Sequence, residues 1–208
     1  MSRCVIIGAA PIKNYKKIRS FLRGDDFVIV CDGGLNHLKK LRLIPNLIVG
    51  DFDSHKNPKS KIETIVLPRE KDDTDSVFAL KTAILRGFSN FLFIGMIGSR
   101  FDHSLGNLSL LIRCYKKNFP AIMLDDFSEM EIVGKEEVEI FGSYKAFSLL
   151  PICGTAAGIT IKEAKFPLEN ATITPENFQL GVSNELLSSR VAKISVREGF
   201  LLLVRVWH

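Results

Sequence analysis

The stretch VGDFDSHKN at residues 49–57 ends an apolar run in a glycine and then sets two aspartates, Asp51 and Asp53, on either side of one phenylalanine. In an extended segment residues i and i+2 project to the same side. The two carboxylates are therefore expected side by side, with Phe52 turned the other way into packing. A divalent cation relieves like charges placed so, and hard carboxylate oxygens suit Mg²⁺, which completes its shell with water and substrate phosphates. The competing reading is structural: Asp53 makes an Asx-turn with Ser54 and Asp51 is solvated.

Three other loops carry polar residues of the same kind. In CDGGLNHL, residues 31–38, Asp32 closes an apolar run and Gly33-Gly34 opens a helix. Glycines there admit close backbone approach, and a helix N-terminus favours anions; a tight turn is the plain alternative. In LPREKDDTDSV, residues 67–77, Lys71 stands beside Asp72, Asp73 and Asp75. Thr74 is suited to cap a helix and would put Asp75 in its first turn. Lys71 is a point charge suited to phosphate oxygens. In GMIGSRFDHSLGN, residues 95–107, Gly95 and Gly98 make a flexible loop and Arg100 supplies a fixed fork of donors. Asp102 is placed to cap the following helix. His103 and Asn107 share one of its faces, opposite Leu105, Leu108 and Ile112, where plain solvent exposure is the alternative. Acids for a metal and cations for phosphates are the equipment of phosphoryl transfer, a chemistry of positioning and charge stabilisation. The chain has no GxxxxGK[ST] P-loop and no HRD or DFG kinase set.

These loops need strands and helices to hold them. Apolar runs at 4–8, 27–31, 47–49, 64–67, 91–95 and 121–124 have strand length and β-branched or aromatic content. Residues 74–86 put Val77, Leu80 and Ile84 on one helical stripe, and 103–117 do so with Leu105, Leu108, Ile112 and Tyr115. Strand alternating with helix predicts a mostly parallel sheet flanked by helices. Ligands of such sheets bind at the carboxyl ends of the strands, where all four polar loops fall. After Asp125-Asp126 the pattern changes to short runs at 129–133, 136–141, 145–150, 158–162, 171–174, 178–182, 191–196 and 200–207, punctuated by glycines. That predicts an all-β, sandwich-like C-terminal domain, with domains at 1–126 and 127–208.

Composition excludes several classes. No segment reaches 18 consecutive apolar residues, so no membrane span is expected. The N-terminal MSRCVIIGAAPIKN is too short in its apolar part for a signal peptide, and a cytoplasmic location follows. The cysteines at 4, 31, 114 and 153 form no CxxC and read as free thiols. The net charge of +5 is scattered, with pairs at 16–17, 39–40 and 116–117, so no nucleic-acid partner is expected. A modest positive field suits a small polyanionic substrate.

The ordered set DGG at 32–34, Pro45 with GDFDS at 50–54, KDDTD at 71–75, GSRFDH at 98–103 with Asn107, and GVSNE at 181–185 resembles the thiamine pyrophosphokinase family over almost the whole chain. The resemblance implies an α/β domain joined to a β-sandwich, and transfer of pyrophosphate from ATP to thiamine with AMP leaving. It implies that Asp51 and Asp53 hold Mg²⁺, that Asp75 and Asp102 join the acidic cluster, and that Asp32 lies on its edge. It further implies that Lys71 and Arg100 neutralise phosphate, and that Gly33, Asp72, His103 and Asn107 line the nucleotide. In that family thiamine sits between the α/β domain of one subunit and the β domain of its dimer mate. A homodimer is therefore implied, with Ser183 and Asn184 contacting the aminopyrimidine; a hairpin turn is their structural alternative. Ser99 stands where the family often has a second glycine, and serine is small and able to donate a hydrogen bond. Rival readings are a pyrophosphokinase for another alcohol such as a hydroxymethylpterin, a non-catalytic nucleotide or thiamine diphosphate sensor, and a metal-dependent phosphoanhydride hydrolase.

Overall fold

Six short apolar runs set the N-terminal half. Cys4–Ile7 (β1), Phe27–Cys31 (β2), Leu47–Gly50 (β3), Glu63–Val66 (β4), Phe91–Ile94 (β5) and Ala121–Leu124 (β6) pair side by side, all parallel, in the order β4-β3-β2-β1-β5-β6. The central strands β1, β3 and β5 are buried at every residue. Strands covered on both faces read as unbroken apolar runs rather than as alternation. The computed structural model describes residues 2–52, 61–68, 70, 72–187 and 191–207. The chain divides into two compact units, 1–126 and 127–208.

The crossovers of the first unit are helical. Tyr15–Arg19 (α1) follows β1. A 3₁₀ turn, Asp32–His37, runs into the short helix Leu38–Leu41 (α2). Asp75–Leu85 (α3) and Phe101–Tyr115 (α4) flank β5 in sequence. Thr74 is the N-cap of α3, its hydroxyl accepting from the Val77 N–H at 3.4 Å, as its sequence position predicts. Helix α3 packs on β1, β2 and β3, and α4 on β6. The stripe expected on α4 is rotated. Its buried residues are Ser104, Leu110, Leu111 and Cys114, while Leu105 is 55% exposed. Ser104 Oγ accepts from Gly98 N–H at 2.9 Å and lies 3.0 Å from the Arg100 carbonyl, so a polar residue turns this face inward. A shift of one residue moves the buried stripe by about 100°.

The second unit is built of strands. Ser128–Val133 (β7), Val138–Ile140 (β8), Tyr144–Leu150 (β9), Ala156–Lys162 (β10), Leu168–Ile173 (β11), Ala192–Ser195 (β12) and Leu201–Trp207 (β13) form antiparallel sets in the orders β7-β13-β9 and β11-β10-β12-β8. Phe147, Leu149, Leu201 and Leu203 meet Ile159, Ile161, Ile173 and Ile194 in its core. The run 178–182 is not the strand its composition predicts. Phe178–Gly181 is a 3₁₀ turn, and a Cβ on Gly181 would lie 2.1 Å from the Leu149 carbonyl oxygen. That contact permits glycine alone and ends the turn against β9. Cys4, Cys31 and Cys114 are buried and Cys153 is exposed, all as free thiols; burial pushes Cys4 and Cys114 up to about 12.

Asn184 fastens the segment that follows. Its backbone exchanges both hydrogen bonds with Phe147, at 2.8 and 2.9 Å. Its side-chain oxygen accepts from Phe166 N–H at 3.0 Å and Glu185 N–H at 2.9 Å, and its amide donates to the Phe166 carbonyl at 2.7 Å. Truncating it strands buried backbone groups, at a cost of about 1–3 kcal/mol. Asn184→Ala should therefore lower the melting temperature by several degrees in thermal denaturation. An unchanged melting temperature would mean that these bonds are replaced by water.

Candidate functional site

The strand order places a crevice. The chain runs outward from β1 through β2, β3 and β4, then returns to β5 on the other side of β1, so the connectivity reverses between β1 and β5. Open parallel sheets bind ligands at that switch point. There the loops after β1 and β5 press together through glycine. A Cβ on Gly8 would lie 2.5 Å from the Gly95 carbonyl oxygen, and one on Gly95 would lie 2.6 Å from that of Gly8. Gly8 N–H donates to the Ile94 carbonyl at 2.8 Å and Ala10 N–H to that of Gly95 at 2.9 Å.

A cleft of about 870 Å³ opens over these ends. Of the residues singled out in the sequence, Asp32, Gly33, Asp51, Asp72, Asp75, Arg100, Asp102, His103 and Asn107 all line it. Asp53 and Lys71 fall outside the described residues. Ser183 and Asn184 belong to the second unit.

Three carboxylates converge. Asp32, Asp51 and Asp75 each bring an oxygen within 4.8 Å of the others. They come from the ends of β2 and β3 and the first turn of α3. Gly50 makes the approach possible, since a Cβ there would lie 2.8 Å from Asp32 Cβ. Asp32 is buried, and Asp51 and Asp75 are half-buried. Oxygens around one Mg²⁺ at about 2.1 Å lie roughly 3–4 Å apart. This all-oxygen set therefore fits a hard divalent cation. The geometry that led to Asp51 differs from the one expected. Strand β3 ends at Gly50 and Phe52 is left-handed, with φ of 55°, so the extended backbone does not continue through Phe52. Asp51 is aimed by that turn and by its neighbour strand rather than by period-two alternation.

The other predicted residues have more specific surroundings than their loops suggested. The pair Gly33-Gly34 accommodates protein: a Cβ on Gly33 would lie 2.8 Å from Ala9 Cβ, and one on Gly34 2.6 Å from the Ile7 carbonyl oxygen. Asp102 does not cap α4, whose N-cap is Arg100. Its carboxylate takes two hydrogen bonds from the Arg100 guanidinium, at 2.9 and 2.6 Å. Those bonds hold its carboxyl well below the usual carboxylate range and push Arg100 up. Asn107 is braced on both sides, accepting from Ser76 Oγ at 2.8 Å and donating to the Met96 carbonyl at 2.9 Å. It ties the start of α3 to the loop after β5. Asp73 is paired with Lys81 at 2.5 Å, while Asp72 and His103 are exposed along the rim.

Sequence reasoning missed one wall. Gly8, Ala9, Ala10 and Pro11, the loop after β1, line the cleft, as do Ser104 and Arg113 of α4. Gly8–Pro11 carry no charge and no familiar motif. The available signal was topological: a run of small residues at the end of the central strand.

The comparisons with known proteins agree with this geometry. The family model described as the thiamin pyrophosphokinase catalytic domain matches residues 18–123, and that for its vitamin B1 binding domain matches 130–201. The chain is 31% identical over 182 residues to thiamine pyrophosphokinase of Bacillus subtilis, covering 84% of each. The crystal structure of the thiamine pyrophosphokinase from that organism superposes with a TM-score of 0.86 at 24% identity over 100% of both chains. That from Geobacillus thermodenitrificans gives 0.83 at 26% identity, covering 99% of this chain and 98% of that one. With a relative above 30% identity over most of its length and both family domains in order, the chain belongs to the thiamin pyrophosphokinase family.

Proposed function

We propose that this chain carries out the reaction of its family, transfer of the pyrophosphoryl group of ATP to the hydroxyl of thiamine, with Mg²⁺ held by Asp51 and Asp75 together with Asp32. The observation that carries the reading is the convergence of those three carboxylates at adjacent strand ends. The motif partner Asp53 is proposed as a further ligand. When bound, the cation neutralises phosphate charge and polarises the phosphoryl group under attack. The thiamine hydroxyl oxygen forms a bond to the β-phosphorus, the bond from that phosphorus to the α–β bridging oxygen breaks, AMP leaves with that oxygen, and the hydroxyl proton passes to solvent.

The chain's own residues orient the reactants. Arg100 and Lys71 are proposed to meet phosphate oxygens, with Gly33, Asp72 and His103 along the nucleotide. Asn107 is proposed to act by bracing the cleft wall, because its amide already joins Ser76 to Met96. Asp102 is proposed to hold Arg100 in place. In the second unit Ser183 is exposed and left-handed, with φ of 58°, and its N–H donates to Ser148 Oγ at 3.0 Å. It is proposed to contact thiamine, with Asn184 fixing its loop from within.

We also propose that the working form is a homodimer. Within five residues of Ser183 stand Phe178, Leu180 and Val182, exposed by 49, 47 and 42%. Apolar side chains grouped so are characteristic of surfaces that another protein covers.

Incubation with ATP, Mg²⁺ and thiamine should give AMP only when thiamine is present; AMP without an acceptor would indicate a hydrolase. Asp51→Asn should lower kcat by about 10²-fold or more at saturating Mg²⁺. Its melting temperature without metal should hold or rise, because a like-charge repulsion is relieved. Near-normal turnover would remove Asp51 from the metal set. Sedimentation at micromolar protein should give roughly twice the 23.3 kDa chain mass, and a fully active monomer would end the dimer proposal.

A further inference from the structure

Helix α4 contributes more of the cleft than the loop that starts it. Asp102, Gly106, Ser109 and Arg113 all line the cavity. Their spacing of four, three and four residues puts them on one side of the helix, turn after turn. At a rise of about 1.5 Å per residue, Gly106 lies roughly 6 Å along the axis from Asp102, and Arg113 roughly 16 Å. Helix α4 starts after the carboxyl end of β5 and packs on β6. Its later turns therefore lead the cleft away from the strand ends that carry the three carboxylates.

Two residues on this side are not accounted for by the fold. Gly106 sits in the middle of α4, where glycine is among the poorest helix formers. Packing does not require it: it is exposed, and a Cβ built there would meet no atom within 4 Å. Gly8, Gly34, Gly50 and Gly95 differ, since protein atoms crowd the Cβ position of each. Arg113 is exposed and, among the described residues, makes no hydrogen bond, ion pair or ring contact. Its place in the last turn suits the helix dipole, as any cation there would. Side chains on a helix lean toward its N-terminus, which brings the reach of Arg113 back toward Ser109 and Gly106.

A bare length of helix backbone with an unpaired planar cation beyond it fits a flat, neutral, π-rich group. Arginine stacks on such faces through both its charge and its plane. Of the two substrates, thiamine carries a permanent positive charge on its thiazolium ring, which an unpaired guanidinium repels. The adenine of ATP is neutral, and its phosphates would lead from this side of the cleft toward the carboxylates. We propose that Gly106, Ser109 and Arg113 form the subsite for the nucleotide base, which lies against the Gly106 backbone and is capped by the Arg113 guanidinium. The proposal rests on the reading that the cleft binds ATP.

The test is calorimetric titration of the full-length protein, with Mg²⁺ and without thiamine. The ligands are ATP and inorganic tripolyphosphate, which has the phosphates but no base. Gly106→Ala should weaken ATP binding about threefold to tenfold while raising the melting temperature by about 2–4 °C, because alanine improves the helix. Arg113→Gln should weaken ATP by a similar factor. Neither variant should alter the affinity for tripolyphosphate or KM for thiamine. Arg113→Lys keeps the charge but loses the planar face, and should bind ATP no better than Arg113→Gln. Unchanged ATP affinity in Gly106→Ala would overturn the proposal. So would equal losses for ATP and tripolyphosphate, or full recovery in Arg113→Lys, since either would mean a contact of charge with phosphate or ribose. A wild-type protein that binds neither ligand would instead overturn the nucleotide reading beneath it.

Discussion

Three carboxylates with oxygens within 4.8 Å of one another oppose their own assembly. At an effective dielectric near 20, each charged pair at this separation costs on the order of 3 kcal/mol. The local chain would relieve that cost by turning the side chains out to water, and the structure prevents it. Asp32 is the first residue of a 3₁₀ turn pinned beneath the β1 loop, Asp51 follows a glycine packed on Asp32, and Asp75 is in the first turn of a capped helix. Each of these positions is constrained by backbone and packing contacts around it. A divalent cation held among them, as proposed above, would offset this repulsion.

The fixing contacts are steric before they are polar. Gly8 against Gly95, Gly34 against Ile7 and Gly50 against Asp32 each bring backbone closer than any Cβ would allow. Strands in a parallel sheet lie about 4.8 Å apart, so residues that end neighbouring strands already sit at the spacing a metal needs. What the glycines add is the short turn that keeps those residues at the strand ends instead of carrying them away in a loop. Substituting alanine at any of these three positions would push apart two loops of the site at once.

Much of this was legible in the residues. All six parallel strands overlap apolar runs, and β1, β3 and β5, buried at every residue, have no other composition available. The capping role of Thr74 was equally readable, since it is local chemistry. The misreadings share one cause, that tertiary contacts chose between locally equivalent options. Helix α4 offers two apolar stripes, and the Ser104 bonds to Gly98 and Arg100 decided which one turns inward. Residues 178–182 have strand composition, and a single contact between Gly181 and Leu149 made them a turn. The Ala9–Ala10 wall left only the run of small residues after β1 as a signal, since its contribution is backbone.

The pairing of Arg100 with Asp102 shows how such a site handles its charge before substrate arrives. Both side chains are well exposed, 70% and 64%, despite their two short hydrogen bonds. An exposed ion pair is worth little, because water competes for both partners. Asp102 therefore keeps the guanidinium extended along the rim at small energetic cost. A phosphate reaching Arg100, as proposed above, would bring more charge and more acceptor oxygens than one carboxylate and would displace Asp102 at small cost. A buried pair would have been a poor choice for that position, since separating it costs several kcal/mol. The rim thus carries a cation that is held in place yet exchangeable, while the acids deeper in the cleft, which have to stay together, are locked by the glycine contacts beneath them.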